Sequence, residues 1–197
     1  MKVLLSFATG NPHKFKEAKH YLEHSINGLH LKQCRGNFPE IQASDLEPVA
    51  RFKIKKAIEI CGGNVFMEDA GLFIPKLRGF PGVYSAYIKK TLDCKGILKL
   101  MEDYQDKGDR AAYFKACTCI YLEKTGETHL FTGRIEGHLS FEERGSNGFG
   151  FDPIFISSEP PGNEMTFGEM KPEEKVKISH RTKALKELQI YLSTVFG

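Results

Sequence analysis

The stretch Val3-Leu-Leu-Ser-Phe-Ala8 followed by Thr9-Gly10-Asn11-Pro12-His13-Lys14 decides how the rest of the chain is read. A short apolar run ends in a glycine turn, which is the signature of a buried strand. Asn11 suits a helix N-cap, because its side-chain oxygen accepts from the first free amides. Pro12 suits the first helical position, where an N–H would lack a partner anyway. Phe15, Ala18 and Leu22 then recur at i, i+3 and i+7, so one face of a helix is apolar. The same logic repeats downstream. Residues 29–34 read as a second strand and residues 37–44 as a loop. Leu46, Ala50, Ile54, Ala57 and Cys61 line one face of a second helix, closed by Gly62-Gly63. Val65–Met67 is a third strand that runs straight into Glu68-Asp69. This β-α-β-α-β order predicts an α/β fold.

The second half reads differently. Leu92–Tyr104 is predicted to be helical. Residues 112–122 alternate, with Ala112, Phe114, Ala116, Thr118, Ile120 and Leu122 on one face. Lys124-Thr125-Gly126-Glu127 is a turn, and His129–Leu139 returns as a partner strand. A long antiparallel hairpin beside a parallel start predicts a mixed sheet. Residues 145–153 form a glycine-rich loop, and Ser179 caps a last helix with Ala184, Leu188, Tyr191 and Val195 on its apolar face. With neither repeat nor linker, residues 1–197 read as one domain with two lobes.

Composition narrows the function classes. The chain has 197 residues, 41% hydrophobic and 27% charged, which excludes a disordered protein. A net charge of +3 is too mild to imply nucleic acid, and the basic residues form no stripe with interleaved aromatics. No apolar run approaches the roughly 18 residues of a membrane span. The opening M-K-V-L-L-S-F-A-T-G breaks at Thr9–Pro12, so it reads as a strand rather than a leader, and the protein is expected in the cytoplasm. Cys34, Cys61, Cys94, Cys117 and Cys119 are odd in number and scattered, which predicts free thiols in a reducing compartment. Cys117-Thr-Cys119 has no partner at zinc-like spacing.

Five places carry chemistry. Thr9–Lys14 joins a strand end to a helix N-terminus, whose amides and partial positive charge suit an anion. Lys14 stands at the third helical position, where a cation opposes the helix dipole unless an anion sits above it. No G-x-x-x-x-G-K-[ST] pattern occurs, so this is not a P-loop. Asp69 leaves its strand at the end where α/β sheets bind ligands, and Glu40 lies in the loop before the second helix. Two such carboxylates suit Mg²⁺, which prefers one or two protein oxygens. Glu68 alternates to the other side of the strand and is the weaker candidate. Lys53, with Lys55 and Lys56, is ordinarily part of a solvated face, yet it lies one step from the apolar stripe and is placed to reach a phosphate. In Gly148-Phe149-Gly150-Phe151-Asp152, glycines allow close approach of the backbone, an aromatic can stack on a base, and an acid can accept from a ring N–H. The alternative is a core-plugging turn. Finally, Lys175, His180 and Arg181 place cations around the start of the last helix, repeating the oddity at Lys14.

Taken together, T-G-N-P-H-K (9–14), F-P-E-I-Q (38–42), E-D-A-G-L (68–72), G-F-P-G-V-Y-S-A (79–86), G-F-G-F-D-P-I-F (148–155) and E-K-V-K-I-S-H-R-T-K-A-L (174–185) resemble the inosine triphosphate pyrophosphatase family, also called XTP/dITP diphosphatases. The resemblance implies an elongated mixed α/β fold with two lobes around a nucleotide cleft. It implies hydrolysis of ITP, dITP and XTP to the monophosphate and pyrophosphate with Mg²⁺, and a homodimer. By motif, Thr9, Gly10, Asn11, Pro12, His13, Lys14 and Lys53 should hold the triphosphate. Glu40 and Asp69 should hold the metal, with Asp69 as the base for the attacking water. Phe149, Gly150, Phe151, Asp152, Lys175, His180 and Arg181 should form the nucleotide and base pocket. The family commonly has serine where this chain has Ala70, so a hydroxyl that could bond a phosphate or the metal shell is absent. Phosphoryl transfer is mostly positioning and charge neutralisation, and a triphosphate brings about four negative charges for Lys14, Lys53 and Mg²⁺ to neutralise. The competing readings are a pyrophosphatase for another modified nucleotide and, with Ala70 in mind, a nucleotide-binding protein without turnover.

Overall fold

The computed structural model describes residues 3–160 and 164–196. Six strands form one sheet in the order β2-β1-β3-β4-β5-β6. β1 (Val3–Ala8) pairs parallel with β2 (Leu29–Cys34) and with β3 (Val65–Phe73). β4 (Ala111–Leu122) turns through Glu123–Gly126 into β5 (Glu127–Leu139), which pairs antiparallel with β6 (Phe155–Ser157). The sheet is therefore mixed, as expected. Helix α1 (Pro12–Ser25) starts where its cap predicts, with Asn11 Oδ1 accepting from the amides of His13 and Lys14, and helix α2 (Leu46–Cys61) starts after Asp45, whose side chain accepts from the Leu46 amide.

Three readings are corrected. β3 does not stop before Glu68-Asp69 but runs through them to Phe73, because the apolar Leu72-Phe73 resumes the strand pattern after two acids. Asp69 is thus a mid-strand residue. The helix expected over 92–104 is shorter, α4 (Asp93–Leu100), and a separate helix, α3 (Ser85–Thr91), precedes it. Asp93 takes a left-handed backbone (φ 59°), which interrupts a continuous helix there. A short helix, α5 (Pro172–Ile178), precedes the last helix, α6 (His180–Phe196). Its start is written in Pro172-Glu173-Glu174, where the Glu174 carboxylate accepts the Lys171 amide.

The chain divides into two compact units. The first comprises Met1–Asp69, Ala116–Gly133 and Arg181–Gly197, and the second Ala70–Lys115 and Arg134–His180. In the first, Phe7 stacks on Phe66 with centroids 4.3 Å apart, amid Leu5, Leu22, Leu185, Leu188 and Leu192. In the second, Phe114 packs edge-on against Phe155 at 4.7 Å, with Leu72, Ile97, Met101 and Phe167 around them. Gly71 belongs to that packing by its size, since a Cβ there would lie 2.3 Å from the Gly82 carbonyl oxygen. Arg110, buried in the same unit, donates to the carbonyls of Met101, Tyr104, Leu139 and Ser140. It satisfies backbone carbonyls at and just beyond the ends of α4 and β5.

The thiol reading is also corrected. Cys34 and Cys61 form a disulfide, while Cys94, Cys117 and Cys119 are buried and take no part in it. The pairing is tertiary: the last residue of β2 meets the last residue of α2 across a separation of 27 residues, which spacing alone does not reveal. Burial pushes the Cys94 thiol up to about 12 and that of Cys119 up to about 11, so neither is a nucleophile at neutral pH. Closing a loop of this length is worth about 3–4 kcal/mol in the chain-entropy account. Cys34→Ser is therefore expected to lower the melting temperature by about 10 °C, read by calorimetry, and reduction of the native chain should do the same. Equal melting of oxidised and reduced protein would refute this.

Candidate functional site

The first unit gathers most of the expected residues. At the β1–α1 turn, Asn11 Oδ1 caps the His13 amide at 2.9 Å and the Lys14 amide at 3.2 Å, and the Asn11 amide donates to Thr9 Oγ1 at 3.1 Å. Pro12 has no amide hydrogen. The first-turn amides of His13 and Lys14, expected to be open to an anion, are thus already used by the cap. What the turn offers instead is the Lys14 ammonium. Gly10, Pro12 and His13 are exposed, and Thr9 is buried.

Lys14 Nζ donates to the Glu68 carbonyl oxygen at 3.2 Å and lies 3.2 Å from the Glu68 carboxylate. On α6, Arg181 forks onto the same carboxylate, Nε to Oε2 at 2.5 Å and Nη2 to Oε1 at 3.2 Å, while its Nη1 reaches Glu17 on α1 at 2.5 Å. The cations that opposed two helix dipoles therefore share one internal counter-ion, Glu68. Burial disfavours a charged Arg181, but Glu68 and Glu17 outweigh it and raise its pKa. Sequence reasoning ranked Glu68 below Asp69 and missed Glu17. The signal for Glu68 was present: an acid inside an otherwise apolar strand must be paired.

Lys53, far from lying on a solvated face, is buried on the inner side of α2. Its ammonium sits 2.6 Å from Glu40 Oε1 and 2.8 Å from Asp69 Oδ1, so it draws together the two carboxylates expected at the metal. Burial pulls its pKa down, and Asp69 and Glu40 together more than reverse this. With a folded-state pKa above the ordinary 10.5, the pairing contributes fully at neutral pH and is lost only in strong alkali. Asp69 Oδ2 is buried and has no hydrogen-bond partner among the described residues. An unused carboxylate oxygen beside Glu40 fits a hard divalent cation that needs only one or two protein oxygens. No group of three or more His, Cys, Asp or Glu among the described residues offers a fuller set.

The second unit holds the remaining candidates. Asp152, almost fully buried, accepts from the Phe149 amide at 2.6 Å and from Lys175 Nζ at 2.7 Å, both at Oδ2. Gly148 makes this turn possible: its φ is +74°, and a Cβ would sit 2.1 Å from Asp152 Oδ2. Lys175 lies 4.8 Å from the half-buried Phe149 ring. His180 stacks on Phe114 at 4.8 Å. The Phe151 side chain packs in the core, Gly150 is half-buried, and Ala70 lies in β3 beside Asp69.

Fold and constellation define a mixed α/β protein with lysine ammoniums held against strand carboxylates. The chain belongs to the Ham1 family, whose model matches residues 5–191. It is 47% identical over 188 residues to the dITP/XTP pyrophosphatase of Thermococcus kodakarensis, covering 95% of this chain and 96% of that protein. It is 43% identical over 198 residues to that of Methanopyrus kandleri, covering all of both chains. The Staphylococcus aureus Ham1 protein superposes with a TM-score of 0.79 at 27% identity, covering 98% of this chain and all of that one. The family read from the six motifs is borne out.

Removing Lys53 tests the site without nucleotide. Lys53→Met leaves Asp69 without its cation, and breaking such a buried pair costs about 3 kcal/mol or more. Added Mg²⁺ should recover part of the lost melting temperature by supplying the missing charge. A Lys53→Met protein indifferent to Mg²⁺ would mean that these carboxylates hold no metal.

Proposed function

We propose that the protein hydrolyses non-standard purine nucleoside triphosphates, dITP, XTP and ITP, to the monophosphate and pyrophosphate, with Mg²⁺, as a cytoplasmic homodimer that cleanses the nucleotide pool. The observation that carries this reading is Asp69: one carboxylate oxygen is tied to Lys53 and the other is buried and uncommitted. The names of the relatives and the family's membership support the reaction and substrates. No helix among the described residues is long and apolar enough to cross a membrane.

The residues divide the work. Lys14 and Lys53 hold phosphate oxygens that persist through the reaction, and their charge offsets that of the triphosphate. Glu40 and Asp69 would hold Mg²⁺, which supplies charge neutralisation and acidifies water. The Asp69 carboxylate accepts the proton of the attacking water, and Lys53 on Oδ1 keeps it aimed. Phe149, exposed in part above Lys175, stacks on a purine whatever its substituents, while Asp152 fixes the loop rather than spending its Oδ2 on the base. The 6-keto oxygen of hypoxanthine and xanthine asks for a donor where adenine would offer one, and leaving a desolvated donor unpaired costs about 1–3 kcal/mol. At position 70 the side chain offers no hydroxyl, so any contact there comes from the backbone.

Pyrophosphate release from dITP, XTP, ITP, dATP and dGTP with and without Mg²⁺ tests the assignment. The first three should be turned over and the last two poorly. Binding without turnover would favour the nucleotide-binding reading, and preference for a pyrimidine would favour another substrate. Asp69→Asn should keep the fold and lower kcat about 10²-fold or more. A folded Asp69→Asn protein with near-native kcat would remove Asp69 from the chemistry. Phe149→Ala should weaken all purine substrates in similar proportion, read as kcat/KM across the same panel.

A further inference from the structure

Glu68 sits in β3 beside Asp69, and its side chain is 1% exposed. A carboxylate so placed is costly unless paired. Here the Arg181 guanidinium, itself 2% exposed, supplies that pairing through two nitrogens. With its charge maintained, Glu68 reaches the other way to Lys14 through two atoms, its backbone carbonyl and its carboxylate, each 3.2 Å from Nζ. A lysine ammonium normally wanders on a flexible four-carbon stem. Lys14 is pinned instead: its ammonium donates to the Glu68 carbonyl and pairs with the Glu68 carboxylate, and an ammonium's three donors exceed the one hydrogen bond so made. Arg181 also binds Glu17, one turn beyond Lys14 on α1. Strand, first helix and last helix thus converge on one buried node, and the part of that node facing the turn is the Lys14 ammonium.

We propose that Glu68 is a positioning residue: it aims the Lys14 ammonium at a substrate phosphate, and Arg181 is the counter-ion that keeps Glu68 charged in the interior. This rests on the nucleotide-hydrolase reading of the site. Glu68 touches neither substrate nor metal; it acts through Lys14, so that the phosphate meets a donor already in place rather than one that must be ordered on binding.

Because the effect passes through one atom, a double-mutant cycle isolates it. Inorganic tripolyphosphate, which has no base, is titrated calorimetrically into native protein, Lys14→Ala, Glu68→Gln and the double variant, and KM and kcat for dITP are read in parallel. Lys14→Ala should weaken tripolyphosphate binding by about tenfold, the loss of a charged hydrogen bond. Glu68→Gln, which keeps the shape and an acceptor for Arg181, should weaken it by about threefold to tenfold and raise KM with kcat little changed. The double variant should bind no more weakly than Lys14→Ala alone. If the two losses instead multiply, Glu68 does not act through Lys14 and the proposal is overturned. Circular dichroism and melting are read first. Should Glu68→Gln not fold, Arg181→Lys asks the same question, since it keeps a cation for Glu68 but not the fork: its loss of tripolyphosphate affinity should vanish in the Lys14→Ala background, and a loss that persists there overturns the proposal. Native protein that releases no pyrophosphate from dITP and binds no tripolyphosphate would defeat the reading of the site itself. Native binding and turnover with multiplying losses would defeat only the role of Glu68.

Discussion

The buried ion pair between Glu68 and Arg181 constrains the first unit more than any other single contact. Burying either charge alone would cost several kcal/mol. Buried together, with Glu17 and Lys14 taking the remaining directions, they require β3, α1 and α6 to meet in one arrangement. Apolar packing of Phe7, Phe66 and Leu188 supplies most of the driving force for burial, but it is non-directional. The forked guanidinium adds direction. A small slide of α6 along its axis would keep much of the apolar contact and lose the fork.

That constraint propagates to the chemistry because Glu68 and Asp69 are adjacent in one strand. Strand alternation sends their side chains to opposite sides, so one acid serves the structural node and the other meets Lys53 and Glu40. The same pleat that buries Glu68 against Arg181 delivers Asp69 with one oxygen held and one unused. In the second unit Asp152 plays a comparable part, with Lys175 and the Phe149 amide on one oxygen setting the glycine loop. In each unit a buried acid–base pair holds a candidate side chain in place, Lys14 in one and Phe149 in the other.

Much of this was legible in the sequence. The cap Asn11, the apolar stripes of α1 and α2 and the alternation of β4 are local signals, and they predicted the elements closely. The candidate residues were also legible: Lys14 as a cation at a helix start, Lys53 as a cation beside an apolar stripe, and Glu40 and Asp69 as acids in a loop and after an apolar run, each visible without knowing what lies opposite. The illegible parts were those decided by partners distant in sequence. Lys14 and Arg181 looked like two unexplained cations, because their shared anion lies 54 residues from one and 113 from the other. Glu68 looked redundant beside Asp69 for the same reason.

The sequence by itself determined the α/β order, the mixed sheet and the family, because periodicity, caps and short motifs are written within a few residues of one another. Tertiary structure alone decided that Cys34 meets Cys61, that β3 continues through two acids, and that Lys53 faces inward. It also decided that the amides of the first helix are already spent on Asn11. Each of these depends on which groups desolvation forces together, and the energy of a buried charge or thiol is set by neighbours that the chain brings close only when it folds.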